Sequence, residues 1–277
     1  MLRVYTDILC PWSWGEEGIL RVLKYLYPDL KIEYIMGDLV DNYENFLPKN
    51  FAKLNSVELG NKILYDMYRA AATITRFPYF SDIPHLFSQD HKSSFPLNIS
   101  FIAVRNIDEK KANTYLRLMR EAMIYRDLNL YDEKVQSLLL EKIGIDEDEY
   151  RIELEFANED FLQDRMKCFD DRIKKFPAFL VDSNRGRKIL KGYQDLKTLS
   201  HFVEDDLKLK RRKVEAREET ILDFISRFDG VLEEELRILF PDLTALEELK
   251  KKDVLTMEEV TGGRIFRLKN FSSTEIK

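Results

Sequence analysis

The strongest constraint on the fold lies in the first 37 residues, where a strand pattern, a helix pattern and a second strand pattern follow one another. Residues 2–8 alternate and favour β-structure, and residues 30–36 predict a second strand that ends at Gly37. Between them, apolar residues recur at helical spacing over residues 14–26. A strand–helix–strand unit of this kind places its two strands parallel in one sheet. We therefore expect an α/β fold.

Helical patterns replace strand patterns from about residue 50 to residue 170. The predicted helices of this insertion cover residues 57–75, 96–104, 108–125, 131–143 and 146–156. Strand patterns return at residues 178–182 and 188–191 with a turn between them, and a helix is predicted over residues 194–207. Residues 1–211 are thus predicted to form one domain, in which a large helical insertion interrupts the sheet.

A basic run at residues 208–213 predicts either a linker or a long shared helix, with a domain boundary near residue 212. Beyond it, helices are predicted over residues 218–228, 232–240 and 243–252, and a hairpin over residues 255–260 and 264–268. Three helices and a hairpin favour a small α+β domain of the winged-helix type at residues 212–277. Residues 214–277 hold ten Lys and Arg against fifteen Asp and Glu. Nucleic acid is therefore disfavoured, and a protein partner or an intramolecular role is preferred.

Composition narrows the function classes further. The chain has 277 residues, of which 44% are hydrophobic, so it can bury a core and is not predicted to be disordered. No apolar run is long enough to span a membrane and no export signal precedes the first strand, so a cytoplasmic location is expected. The net charge of −6 offers no general attraction to phosphate or anionic lipid. Two cysteines and three histidines, without a CxxC or HExxH motif, give no support for a disulfide scaffold or a metal site.

The four residues Cys10, Pro11, Trp12 and Ser13 stand where the first strand hands over to the first helix. The free N–H groups and the dipole at a helix N-terminus favour a thiolate, so the pKa of Cys10 is predicted to lie below that of a free thiol. Pro11 suits the first helical turn, and the Ser13 hydroxyl can donate to the sulfur. Trp12 is expected to face outward from the turn, whereas Trp14 is expected to be buried. This pattern predicts a reactive cysteine.

The βαβ opening with the sequence Asp7-Ile8-Leu9-Cys10-Pro11-Trp12-Ser13 resembles thioredoxin-fold proteins of the DsbA branch. The segment from Phe176 to Val181 resembles the strand that follows a cis proline in that fold, and the helical insertion is placed as in that branch. Residues 36–39 and 93–96 are also similar to its cytoplasmic members of disulfide isomerase type. The resemblance covers roughly residues 2–207. It implies that Pro177 is cis and packs across from Cys10.

The resemblance also implies the roles of the site residues. Catalysis is expected from Cys10, with Ser13 supporting the thiolate. A peptide or thiol substrate is expected to bind against Pro11, Trp12, Phe176 and Pro177.

Ser13 departs from the dithiol members of the branch, which carry a second cysteine at this position. Without that cysteine, Cys10 can form a mixed disulfide but cannot be released by a neighbouring thiol. The predicted activity is therefore thiol–disulfide exchange or isomerisation of monothiol type, with a thiol-bearing protein or glutathione as partner. No tightly bound cofactor is expected, and glutathione is the candidate co-substrate. Cys168 is interpreted as a small buried apolar residue, with a resolving thiol as the alternative.

Two other functions remain open. Kappa-class glutathione transferases and hydroxychromene-carboxylate isomerases share the branch, but they use a serine where Cys10 stands, so their chemistry does not transfer to Ser13. A thioredoxin-like domain followed by a winged helix also resembles the adaptor proteins that deliver the transcription regulator Spx to a protease. That likeness is one of architecture and supports a non-catalytic protein-binding adaptor as a competing hypothesis.

Overall fold

The computed structural model describes residues 1–48, 56–184, 186–228 and 230–269. The part of the chain before residue 208 contains, in order, β1 (Leu2–Thr6), α1 (Pro11–Leu26), β2 (Ile32–Met36), α2 (Ser56–Thr75), α3 (Phe95–Ile107), α4 (Glu109–Arg126), α5 (Glu133–Ile143), α6 (Glu147–Asp170), β3 (Ala178–Ser183), β4 (Gly186–Lys191) and α7 (Leu196–Leu207). A C-terminal module follows, with α8 (Glu218–Ser226), β5 (Val231–Leu232), α9 (Glu233–Leu239), α10 (Thr244–Lys251), β6 (Leu255–Val260) and β7 (Gly263–Leu268).

The first sheet has four strands in the order β2-β1-β3-β4. β1 and β2 are parallel, with Leu2 beside Ile32, so the predicted βαβ unit is confirmed. β3 lies antiparallel to β1 and forms a hairpin with β4. The turn predicted between them includes Arg185, which lies outside the described residues. The α/β prediction is therefore confirmed, with a sheet that is mixed.

The helical insertion separates β2 from β3 and consists of α2 to α6. α6 continues to Asp170, well past the predicted end at residue 156. Its buried side chains continue at helical spacing through Ala157, Phe161, Asp164 and Cys168. Asp164, a buried carboxylate, interrupts the apolar pattern. The second half of the helix was not predicted for this reason.

The C-terminal module has a three-stranded sheet in the order β5-β7-β6. Its helices and the β6–β7 hairpin agree with the prediction, and β5 adds a two-residue strand that is too short to leave a sequence pattern. The basic run is a linker rather than a helix, because α7 ends at Leu207 and Lys208 adopts a positive φ of 57°. The winged-helix interpretation and the boundary near residue 212 stay predictions.

The C-terminal module shares its buried core with the rest of the chain. One buried cluster joins Leu23 and Leu26 of α1 to Phe224 and Ile225 of α8 and to Leu236 of α9. A second cluster, in the helical insertion, also takes in Leu232 and Ile265 of the module. The module therefore completes the apolar core around α1.

Candidate active site

Cys10 is the N-cap residue of α1, one position before the helix begins at Pro11. The helix thus begins three residues before the apolar pattern that starts at residue 14. Pro11 fits the first helical position because no N–H group is needed there. The Cys10 sulfur accepts a hydrogen bond from the Ser13 backbone N–H at 3.4 Å. The strand-to-helix junction therefore directs one free helix N–H group, that of Ser13, at the sulfur.

The two segments that carry the resemblance meet in space. The Phe176–Pro177 peptide bond is cis, and the Cys10 thiol donates a hydrogen bond to the Phe176 carbonyl oxygen at 3.4 Å across 166 positions of sequence. Gly37 allows this approach, because a Cβ there would lie 1.9 Å from the Phe176 ring. The end of β2, the proline loop and the start of α1 are thereby held together.

The electrostatic prediction for Cys10 is wrong. The residue is only 1% exposed, and burial raises the pKa of its thiol above the ordinary value. Hydrogen bonding from Ser13 and the charge of Arg120 act in the opposite direction, whereas the Asp7 carboxylate adds to the increase. The helix N-terminus therefore does not compensate for the loss of water, and burial sets the direction of the pKa shift.

Most of the other predicted site residues are buried. Pro11, Ser13 and Pro177 are buried, and Phe176 is 7% exposed. Within the described part of the chain, the Ser13 hydroxyl forms no hydrogen bond of good geometry, although it is near enough to favour the thiolate. Its backbone N–H is thus the better-defined donor. The roles assigned to these residues stay predictions.

The two tryptophans differ in burial. Trp12 is half-buried against the Cys10 cluster, with its ring 6.3 Å from that of Tyr193, so the expectation that it faces outward is only partly met. Trp14 is buried, as predicted, and donates its indole N–H to the Pro78 carbonyl oxygen at 2.7 Å. Of the two, only Trp12 can contact both the sulfur region and solvent.

Cys168 is a free thiol that is 4% exposed and belongs to the same buried cluster as Cys10. Burial raises the pKa of its thiol to about 12. The interpretation as a buried apolar residue is confirmed, and the alternative role as a resolving thiol stays a prediction.

Arg120 of α4 is a supporting residue that the sequence did not reveal. Its guanidinium is 1% exposed and donates to the Thr6 hydroxyl at 2.9 Å and to the Asp7 carbonyl oxygen at 3.0 Å. It also pairs with Glu17 of α1 at 2.5 Å. Arg120 therefore fixes the loop that leads from β1 to Cys10. A charged residue on a mostly polar helix carries no sequence signal of such burial.

Asp7 is a second missed residue and is fully buried three positions before Cys10. Its carboxylate accepts hydrogen bonds from the backbone N–H groups of Leu9 and Leu39 and from the side chains of Ser94 and Asn98. These contacts join the Cys10 loop to β2 and to the start of α3. The segments 36–39 and 93–96, which carry part of the resemblance, thus each supply a hydrogen-bond donor to Asp7.

No three His, Cys, Asp or Glu side chains converge as a metal site among the residues that the structure describes. Over the same residues, no helix combines the length and apolar character needed to cross a membrane.

A thioredoxin family model matches residues 4–201, which is most of the chain. The chain belongs to the thioredoxin family. The match contains both Cys10 and Pro177 and ends within α7, so the C-terminal module lies outside it. Comparison of the sequence with curated proteins finds no match.

Several solved structures are similar to this thioredoxin-family chain. A candidate protein disulfide isomerase from Nitrosomonas europaea is 17% identical, with a TM-score of 0.61, covering 75% of this chain and 97% of its own. The cytosolic disulfide reductase DsbM from Pseudomonas aeruginosa is 16% identical, with a TM-score of 0.57 and coverage of 75% and 98%. A 2-hydroxychromene-2-carboxylate isomerase is 20% identical, with a TM-score of 0.53 and coverage of 74% and 94%. At these identities the likeness shows the fold.

Proposed function

We propose that the protein is a thiol–disulfide exchange protein of monothiol type that acts through Cys10. The observation that carries the proposal is the contact between the Cys10 sulfur and the carbonyl group preceding the cis proline. Membership of the thioredoxin family and similarity to a disulfide reductase, which has also been solved with glutathione, support it. A cytoplasmic setting would supply the thiol that the reaction requires.

The proposed reaction has two steps. The Cys10 thiolate attacks a substrate disulfide, forming a sulfur–sulfur bond to one substrate sulfur and releasing the other as a thiolate. A second thiol, from glutathione or the substrate, then attacks the mixed disulfide, forms a new disulfide and returns the electron pair to Cys10. Ser13 cannot perform this second attack because it has no sulfur. Each step forms one sulfur–sulfur bond and breaks another, so the scheme accounts for both isomerisation and reduction by an external thiol.

Burial of Cys10 sets the condition for the first step. The sulfur must be uncovered before it can ionise readily, because it is held out of water and burial raises the pKa of its thiol. Trp12 is the half-buried side chain of the motif and packs against the Cys10 cluster, so its displacement is a change that would open the site. A peptide or thiol that displaces Trp12 would then reach the sulfur.

Reaction with oxidised glutathione, followed by intact-protein mass spectrometry, tests the proposal. The wild-type protein is expected to acquire one glutathione adduct on Cys10, and Cys10→Ser is expected to acquire none there. Ser13→Cys is expected to lose the adduct spontaneously, because the introduced thiol can form a disulfide with Cys10, and Ser13→Ala is the matched control that retains the adduct. A protein that forms no Cys10 adduct over hours at pH 8 would contradict the proposed activity.

A non-catalytic adaptor is the second candidate, and the burial and raised pKa of Cys10 favour it. In that case the thioredoxin-like part and the C-terminal module would together present a protein-binding surface. Cys10→Ser separates the two functions, because an adaptor retains its cellular activity after this substitution and an exchange protein loses it.

A further inference from the structure

α6 displays an unusual apolar stripe on its solvent side. Half of the exposed large apolar side chains in the described residues belong to this one helix, each between 55% and 83% exposed; they are Ile152, Phe156, Leu162, Met166 and Phe169. At 100° per residue they fall within an arc of about 140° on the helix. We call these five residues the α6 stripe. Large apolar side chains concentrated on one exposed helix face are typical of an interaction site.

Acidic groups lie within the stripe and lack partners of their own. Glu155, Glu159 and Asp170 fall on the same arc of α6, and none of them forms a hydrogen bond or ion pair with another described residue. The basic side chains of the helix are instead all neutralised; the pairs are Arg151 with Glu147 at 2.7 Å, Arg165 with Asp38 at 3.1 Å and Lys167 with Asp164 at 3.2 Å. The face of α6 that carries the stripe therefore combines apolar side chains with negative charge.

This charge pattern decides between possible occupants. A second copy of the chain, paired symmetrically about the middle of α6, would bring Glu159 against its own copy, and like charges oppose such pairing. An anionic lipid surface is disfavoured for the same reason. A helix with apolar side chains at matching spacing and flanking Lys or Arg satisfies both the apolar and the acidic parts of the stripe.

We propose that the α6 stripe is a docking surface for a basic amphipathic helix of a partner protein. Its C-terminal end places Phe169 directly after Cys168, which belongs to the same buried cluster as Cys10. The stripe thus ends on the solvent side of the helical turn that carries Cys168. The docking itself needs no thiol chemistry, so it stands whether or not Cys10 is reactive.

Binding is tested with a fluorescently labelled 18-residue peptide in which Leu recurs at helical spacing and the other positions are Lys. A peptide with the same pattern but with Glu in place of Lys is the acidic control. Fluorescence anisotropy with the full chain is expected to show saturable binding of the basic peptide only. Phe156→Ser/Phe169→Ser and Glu155→Lys/Glu159→Lys are each expected to weaken it at least about tenfold. All four side chains lie on the solvent side of α6, so the variants are expected to fold, which far-UV circular dichroism checks.

Asp29→Lys/Glu141→Lys is the matched control, because it changes net charge equally at exposed positions away from the stripe, and it is expected to bind as wild type. Equal loss of binding in this control, or equal binding of the acidic peptide, would overturn the proposal. Light scattering during size-exclusion chromatography gives the remaining outcome. A dimer that becomes a monomer in the Phe156→Ser/Phe169→Ser variant would show that a second copy, not a basic partner, occupies the stripe.

Discussion

At the scale of single residues, the site is governed by burial. Cys10 lies at a helix N-terminus, where a thiolate is normally stabilised, yet burial raises the pKa of its thiol. Hydrogen bonds to the charged form are outweighed when the sulfur loses all contact with water. The same reasoning applies to Cys168, which lies in the same cluster and receives no donor from a helix terminus.

The raised pKa of Cys168 predicts an alkaline loss of stability. In the unfolded chain a thiol ionises near its ordinary pKa, whereas in the native state it keeps its proton to about 12. Above the unfolded pKa the native state binds more protons, so the free energy of unfolding falls as pH rises from about 9 toward 12, by up to about 1.4 kcal/mol per pH unit. Urea unfolding between pH 7 and 11 measures this slope. Cys168→Ala should flatten the slope relative to wild type, and equal slopes would contradict the assignment.

Arg120 is predicted to be essential for the loop before Cys10. Arg120→Met leaves Glu17 buried without its closest partner and should lower the free energy of unfolding by about 3–5 kcal/mol. Glu17→Gln/Arg120→Met should recover part of this loss, since neither buried charge remains. Urea denaturation of the two single variants and the double variant gives the coupling energy. Additive effects would show that the 2.5 Å contact contributes nothing specific.

At the scale of elements, α1 is packed on several sides. It carries the Cys10 cap, packs on the sheet and is covered by α2, α7 and α9. Gly15 and Gly18 let these neighbours approach; a Cβ at Gly18 would lie 2.1 Å from the Phe77 ring and 3.0 Å from Glu235. The insertion and the C-terminal module thus meet on one turn of the active-site helix.

Gly18→Ala is therefore predicted to destabilise the protein, although alanine favours the helix by about 1 kcal/mol. Overpacking against Phe77 should exceed that gain and lower the free energy of unfolding by about 1–3 kcal/mol. Adding Phe77→Leu to Gly18→Ala should relieve the overlap. The double variant is therefore expected to lose less free energy of unfolding than the two single variants lose in sum. Chemical denaturation of all three variants provides the test, and strict additivity would refute the steric explanation.

At the scale of the whole molecule, buried ion pairs connect the C-terminal module to the rest of the chain. Glu235 of α9 has a fully buried side chain and pairs with Arg21 of α1 and Arg117 of α4, each at 3.3 Å. Arg117 also contacts Glu121 at 2.5 Å. Together with the shared apolar clusters, these contacts predict that the described parts unfold as one cooperative unit.

Glu235→Gln tests this coupling. The substitution leaves buried guanidinium groups undercompensated and should lower the free energy of unfolding by about 3–5 kcal/mol. Both tryptophans lie on α1, outside the module, so tryptophan fluorescence and far-UV circular dichroism should report the same shifted transition. Glu247→Gln, at an exposed pair with Lys250, is the control and should change stability by about 0–1 kcal/mol. Separate transitions for the two signals would show that the module unfolds independently.

Local sequence patterns determined the order of the main elements and the place of Cys10 at the start of the first helix, because strand alternation, helical spacing and turn residues act over a few neighbouring positions. The Phe176–Pro177 segment was predicted from the family resemblance. Tertiary structure alone decided the state of the thiol, the inward position of Arg120 and the joining of Glu235 to α1 and α4. These features depend on which distant elements cover a residue and remove it from water. A charged side chain looks the same in sequence whether it lies in solvent or in a buried pair, so only the assembled fold distinguishes the two.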